Sequence, residues 1–496
     1  MDVDTIRSQL EDYRTALELD RYELARGLRT ESIARTLRAQ VDELFAPETR
    51  SLIESAIASA ERHSLPNDVH SLKILRAGWT RMVVQRELAP IDSAIERHGR
   101  VVTIKLRDGT RQPLRDLKLL LATAEDGDQR QELESNRLQQ AKLLIPLMRE
   151  KIEVEQGVAS ALGHPNLTAL LEDETAIELD TITGLARKFL DETNDLYEEI
   201  MGWTVRKRIG VPLADARRCD VPYVLAGRYL DYEEAFNAAD VVKRTRGFLE
   251  RMGISLNAGG RLKVELDSQG PARAYAGPVR VPEDIRLALE IKDGQRDWLM
   301  FLDALGRALY FSHVNAEAPF EQRCLGDPGL ELAYGRLFRH LVLEREWLKQ
   351  ALGFNGSKDY LLLAYLERLF DMRLCCGRVL YDVELRRKGT AEDMQDAFES
   401  CMRDAVKVAV PRELYLHDVR VGLHSVTQFR ARLFEPLLTL HLLHYFDETW
   451  WRNPRCGPFL IKLWSRGGQL PIEAAAQDMG HELSIKPLLK LFAKNL

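Results

Sequence analysis

No excess of positive charge marks this 496-residue chain: 70 Lys and Arg stand against 76 Asp and Glu, a formal net charge of −6. A nucleic-acid backbone is neutralised by clustered Lys and Arg, and no long basic block occurs here, which argues against a general nucleic-acid role. Long hydrophobic runs are missing too, and none nears the roughly 20 residues that cross a bilayer. The opening MDVDTIRSQLEDYR is acidic and amphipathic, not basic and then apolar as in a secretory signal. The sequence thus predicts a cytoplasmic protein with no membrane partner. Cysteine is scarce. Cys219, Cys324, Cys375, Cys376, Cys401 and Cys456 include one adjacent pair and no Cys-x-x-Cys, so neither a disulfide framework nor zinc-finger spacing is present. Reduced thiols packed as small apolar groups are expected. Cys375 and Cys376 lack a nearby His and Asn set for a thiol nucleophile. The AGGR segment at Gly259 lacks the Lys-Ser/Thr of a phosphate loop and the spacing of a dinucleotide fingerprint.

What the chain does have is helical periodicity. Hydrophobic residues make up 45% of it, enough for a large core. To about Gln85, apolar residues recur at three- and four-residue spacing, the mark of amphipathic helices. RVVTIKLRDGTR alternates β-branched and charged residues and closes on Asp108-Gly109, which predicts a short hairpin near 100–112. Helical spacing resumes at Leu114. Arg206, Lys207 and Arg208 precede Gly210 as Arg386, Arg387 and Lys388 precede Gly389, an order that suits solvated helix C-termini better than basic binding patches. From about Gly253 to Pro282 the chain is rich in Gly and Pro with alternating Val and Leu, and it leads into IRLALEI; one or two short strands are expected there. Beyond Gln295 the pattern is helical almost to the end.

WLMFLDALGRALYF, Trp298 to Phe311, is apolar around the whole helix except at Asp303 and Arg307. Such a helix belongs in a core. Charged groups are rarely buried unless paired, and these two stand four apart on one face, within reach of each other. Gly306 lies between them at a cost of about 1 kcal/mol relative to alanine, so a backbone or ligand is expected to come close. Zinc peptidases place two histidines at i and i+4 on a buried helix with a glutamate after the first. Both imidazoles then meet one zinc, and the glutamate activates bound water.

The frame Asp303-Ala304-Leu305-Gly306-Arg307-Ala308-Leu309-Tyr310 resembles the His-Glu-x-Gly-His-Ala-x-His helix of the oligoendopeptidase F and thimet oligopeptidase family of gluzincin metallopeptidases. The glycine and frame match, while both histidines and the general-base glutamate are replaced. AGPVRVPEDIRLALEI resembles the strand before that helix, and CLGDPGLELAYGRLFRHL the helix that supplies the family's glutamate ligand. That ligand falls on Leu332, or on Glu331 if the register moves by one. FRARLFEPLLTLHLLHYFDETWWRNPRCGPFLIKLWSRG resembles the C-terminal region in which a tyrosine hydroxyl stabilises the oxyanion, and its counterpart is Phe429. The Leu-Gly-x-x-x-Leu turn after EDGDQRQELESNRLQQAKLLIPLMREKIEVEQGVASALG adds support, so the likeness runs from about Leu114 onward; the first hundred residues are compatible with the family's helical lid.

The resemblance implies a mainly α fold: a two-lobed helical metallopeptidase-like body with a deep central cleft and a few short strands before the former zinc helix. It implies one continuous unit with an N-terminal lobe over 1–210 and a peptidase-like C-terminal lobe over 211–496. It also implies a pseudoenzyme that has lost its zinc, the family's cofactor, and keeps a cleft for a peptide or protein partner. The alternative is an active oligopeptidase with a rearranged or non-standard metal site. No cofactor is expected, because Arg307 sets a permanent cation beside Asp303. His313, His340, His417 and His424 have no i, i+4 pairing. His441 and His444 are three apart and either chelate a metal or serve as core or interface histidines. Trp450 and Trp451 fit core packing or a ligand contact, and core packing is the expectation.

Overall fold

The computed structural model describes residues 2–106, 109–266, 274–291, 294–355, 358–417 and 419–496. Helices make up 74% of the structure and strands are few and short. Contacts group the chain into two compact units. One comprises Met82–Asp231, Lys358–Phe429 and Leu488–Leu496; the other comprises Met1–Arg81, Tyr232–Ser357 and Arg430–Pro487. Each is assembled from separated segments of the chain.

The first, the hairpin unit, carries β1 (Thr103–Lys105) antiparallel to β2 (Arg111–Pro113), with Ile104 opposite Gln112. Asp108, expected in the turn, lies outside the described residues. Ile104 is buried against Leu117, Leu121 and Leu133, and this cluster fixes the hairpin to the helix Gly127–Ala161. The helix Asn194–Ile209 ends on Gly210, whose φ of 77° lets its N–H reach the Arg206 carbonyl. Lys207 there lies over the Trp203 ring, so this basic triplet is a helix end as its sequence suggests. The second triplet differs. Arg386 is buried, 3.0 Å from a Glu155 oxygen and paired with Asp382 one turn back. Its neighbour Arg387 is the one that faces solvent. In sequence nothing separates them, because Glu155 is more than two hundred residues away.

The second, the sheet unit, opens with the helix Val3–Arg26, whose first turn is capped by the Asp2 carboxylate accepting from Thr5 N–H. Its three strands, β3 (Leu262–Glu265), β4 (Ala274–Arg280) and β5 (Asp284–Leu289), lie in the order β3-β5-β4, β5 parallel to β3 and antiparallel to β4. The segment AGPVRVPEDIRLALEI, read as a single strand before the helix, forms parts of two strands, β4 and the central β5, which makes three strands where one or two were expected. Pro278, with no N–H to give, sits on the edge strand β4 beside a register shift. The helix Gln295–Ser312 buries Trp298, Phe301, Leu302, Leu305 and Leu309. Trp450 and Trp451 are buried at about 1% exposure each, which assigns them to packing. Among the described residues no helix is long and apolar enough to cross a membrane, and all six cysteines are free.

Candidate functional site

The site is built where the helix Gln295–Ser312 packs on the helix Pro328–Arg339. Two glycines set the spacing. A Cβ on Gly306 would lie 2.3 Å from the Tyr334 carbonyl oxygen, and one on Gly335 would lie 2.8 Å from the Asp303 carbonyl oxygen. Real Cβ atoms do not come that close, so both positions need glycine. The close backbone approach inferred from Gly306 is thus the helix Pro328–Arg339 itself.

Asp303 and Arg307 are joined, Nη2 to Oδ2, at 2.9 Å. Their side chains are 21% and 32% exposed, so the pair is half-buried and not sealed in the core that an all-round apolar helix suggested. The stem of Arg307 runs over Gly335, and its Nε is buried without a partner. Ala304 is buried and offers only a methyl. Tyr310 stacks on Tyr334 with ring centroids 5.3 Å apart.

Of the two candidates on the facing helix, Leu332 is buried, while Glu331 shares the electrostatic environment of the pair. Burial is the largest influence on Glu331 and raises its pKa above the ordinary value. Arg307 and Arg14 oppose that shift, and Glu18 and Asp303 add to it. The helix Val3–Arg26 thus brings Arg14, Glu18 and Arg21 to the site. Arg14 donates to the Pro278 carbonyl at 3.1 Å. Arg21 pairs with Glu18 at 2.6 Å, and Tyr275 of β4 donates to Glu18 at 3.4 Å. These residues escaped the sequence reading; the only signal was the charge-rich face of an opening helix that resembled a lid.

One end of the helix Pro328–Arg339 is pinned by Asp327, which accepts from the N–H groups of Gly329 at 2.9 Å and Ile472 at 3.0 Å. Arg430 grips the same carboxylate at 3.2 and 2.6 Å and reaches Glu473 at 2.7 Å through its Nε. This network sustains Asp327 as a carboxylate: despite burial, Arg430 and the two backbone donors hold its pKa below the ordinary value.

The histidines do not assemble around this pair. His313 Nδ1 contacts the Leu309 carbonyl at 2.8 Å, and burial lowers its pKa. His340 lies 3.0 Å from Glu435. His424 meets Gln428 at 3.1 Å, and His417 lines a cavity of the hairpin unit. His441 stacks on Phe459 and lies tilted against Tyr445, and its neighbour His444 meets Tyr445 edge-on. Among the described residues no group of three or more His, Cys, Asp or Glu is arranged to hold a metal. Phe429 is fully buried and has no hydroxyl to offer.

Neither a family model nor a curated protein matches the chain. Solved structures do. A protein assigned by name to oligoendopeptidase F superposes with a TM-score of 0.70 over 99% of this chain and 90% of its own, at 12% identity. The fold is that of oligoendopeptidase F and its relatives. A second protein so assigned, from Bacillus anthracis str. Ames, gives 0.65 over 94% of this chain and 85% of its own, at 12% identity. PZ peptidase A, solved with an inhibitor, gives 0.67 over 93% and 86%, at 11% identity. The oligoendopeptidase fold therefore covers nearly all of the chain. The donor set on its central helix does not suit zinc. Asp303 is the one metal-binding side chain at the motif positions 303, 304 and 307, and a guanidinium already occupies its oxygen.

Proposed function

We propose that this protein is a catalytically inactive peptidase homologue that keeps a peptide- or partner-binding surface on an oligoendopeptidase fold. One observation carries the reading: the Asp303–Arg307 ion pair, closed at 2.9 Å where the resembled motif has its two histidines. A zinc-bound water is activated by the metal's charge and by a neighbouring base. Here a fixed cation stands in one ligand position and a methyl in the position of the base. The pair substitutes for the metal as the link along the helix, with Glu331 in the place of the third ligand. No zinc is held in this reading. Six free cysteines suit a reducing compartment, and the proposal puts the protein in the cytoplasm.

The test is metal analysis of protein purified without an affinity-tag metal, run beside turnover of a quenched peptide library with and without chelator. No stoichiometric metal and no turnover support the proposal. One zinc per chain, or cleavage that the chelator abolishes, overturns it in favour of a rearranged active site.

A further inference from the structure

Away from the central helix, the hairpin unit holds a cavity of about 420 Å³ whose walls come from that unit alone. Three stretches of sequence turn apolar side chains into it at helical spacing. Leu117 and Leu121 stand four apart on the helix Leu117–Thr123, and Val221 and Leu225 four apart across the helix Val221–Val224. Phe370 and Leu374 stand four apart on the helix Lys358–Lys388. Leu117 and Leu121 also pack in the core cluster around Ile104, so that wall is fixed. Phe370 and Leu374 are only half-buried, although large apolar side chains are ordinarily among the most buried. Both line the hollow.

The charged groups around it answer to the protein itself. Arg137 pairs with Glu134. Arg378 acts on Asp382, a buried carboxylate of its own helix. Glu367 takes a hydrogen bond from the Tyr229 hydroxyl, and Arg218 and His417 are engaged by other groups of the chain. Lys118, exposed to water, and Asp371 complete the charged lining, one of each sign. A charged ligand would therefore shed its water with no guanidinium or carboxylate set aside to replace it, which is unfavourable. An uncharged one gains from covering apolar surface and disturbs none of these pairs. Small-molecule sites have this form, a largely apolar hollow of a few hundred Å³ with few polar groups. A preformed wall also spares a ligand the cost of ordering the site.

We infer that this cavity binds an uncharged, largely apolar small molecule, of the class of a medium-chain alcohol. The Asp303–Arg307 pair belongs to the other unit, so the inference stands or falls apart from the reading given under the proposed function.

The test is calorimetric titration of the full chain with octan-1-ol, octanoate and octylamine at neutral pH. The alcohol is expected to bind with a Kd at least tenfold below those of both charged counterparts, and with the negative heat-capacity change of apolar burial. Lys118→Gln and Asp371→Asn should each leave its Kd within threefold. Ala226→Phe fills the cavity and should abolish binding without lowering Tm. Leu374→Trp fills it from the helix Lys358–Lys388, so a folding failure of the first variant leaves the test intact. Binding of octanoate or octylamine as tight as that of the alcohol overturns the inference. So does the absence of alcohol binding, a tenfold loss on removing either lining charge, or unchanged binding in a folded cavity-filled variant.

Discussion

Gly306 and Gly335 meet backbone to backbone: a methyl on Gly306 would stand 2.9 Å from the Gly335 Cα. Neither helix can yield without moving its own hydrogen-bonded backbone. Gly306→Ala is therefore expected to exceed the usual 1–3 kcal/mol of overpacking, with a loss of about 3 kcal/mol or more by denaturant unfolding. Gly247→Ala is the control. It lies within the helix Val241–Met252 with nothing near its absent Cβ, and should gain about 0.5–1 kcal/mol from helix propensity. Equal effects at the two positions would sink the close-crossing account.

The Asp303–Arg307 pair is half-exposed, which places its energy between a surface pair and a sealed one. Arg307→Leu should cost about 1–2 kcal/mol, above the 0–1 kcal/mol typical at a surface and below the 3–5 kcal/mol of a broken buried pair. A thermal melt that does not move would mean the pair contributes nothing. A collapse of the fold would mean it is sealed after all.

Glu331 gives a pH signature. Its pKa is raised in the folded protein, chiefly by burial, so the folded state holds the proton more tightly than the unfolded chain. The favourable contribution is full below the ordinary value of 4.5 and is lost as pH rises through the folded pKa. Glu331→Gln removes that loss. The variant should melt higher than the parent near neutral pH, with the gap closing toward acid; a gap that widens toward acid contradicts the assignment.

Asp327 has the opposite sign. Its pKa is depressed despite burial, through Arg430 and two backbone donors. The stability it supplies is present above the ordinary value of 3.8 and declines as pH falls through the folded pKa. Arg430→Met leaves the carboxylate buried without its partner, a change worth about 3–5 kcal/mol. Chemical denaturation at pH 7 measures the loss, and a pH 2–5 series should show a shallower acid slope in the variant.

Restoring the motif tests the position of the third ligand. Asp303→His, Ala304→Glu and Arg307→His together supply two imidazoles and a base, and they remove the cation beside Glu331. We expect one zinc per chain by equilibrium dialysis, reduced severalfold when Glu331→Gln is added. Zinc uptake indifferent to residue 331 would reject Glu331 as a ligand.

The sequence made local relations legible. The buried helix followed from its all-round apolarity, the ion pair from four-residue spacing, and the close approach at Gly306 from the cost of a mid-helix glycine. Relations across the chain were not legible. Nothing near Asp303 announces Gly335, and nothing near Asp327 announces Arg430 or Glu473. The burial of Asp303 was overestimated because periodicity records which neighbours in the same helix are apolar, not where the packed helix ends. Arg386 and Arg387 read alike for the same reason, although one is buried by a partner from a distant helix and the other faces solvent.

A crossing at which no side chain separates the backbones leaves no gap for water to enter by small motions. The amide protons of Leu302 to Ala308 can then meet solvent when the whole sheet unit opens, and not before. In deuterium oxide they should be among the last to exchange, at a rate that reports global unfolding of that unit, so the crossing of two glycines becomes its slowest clock.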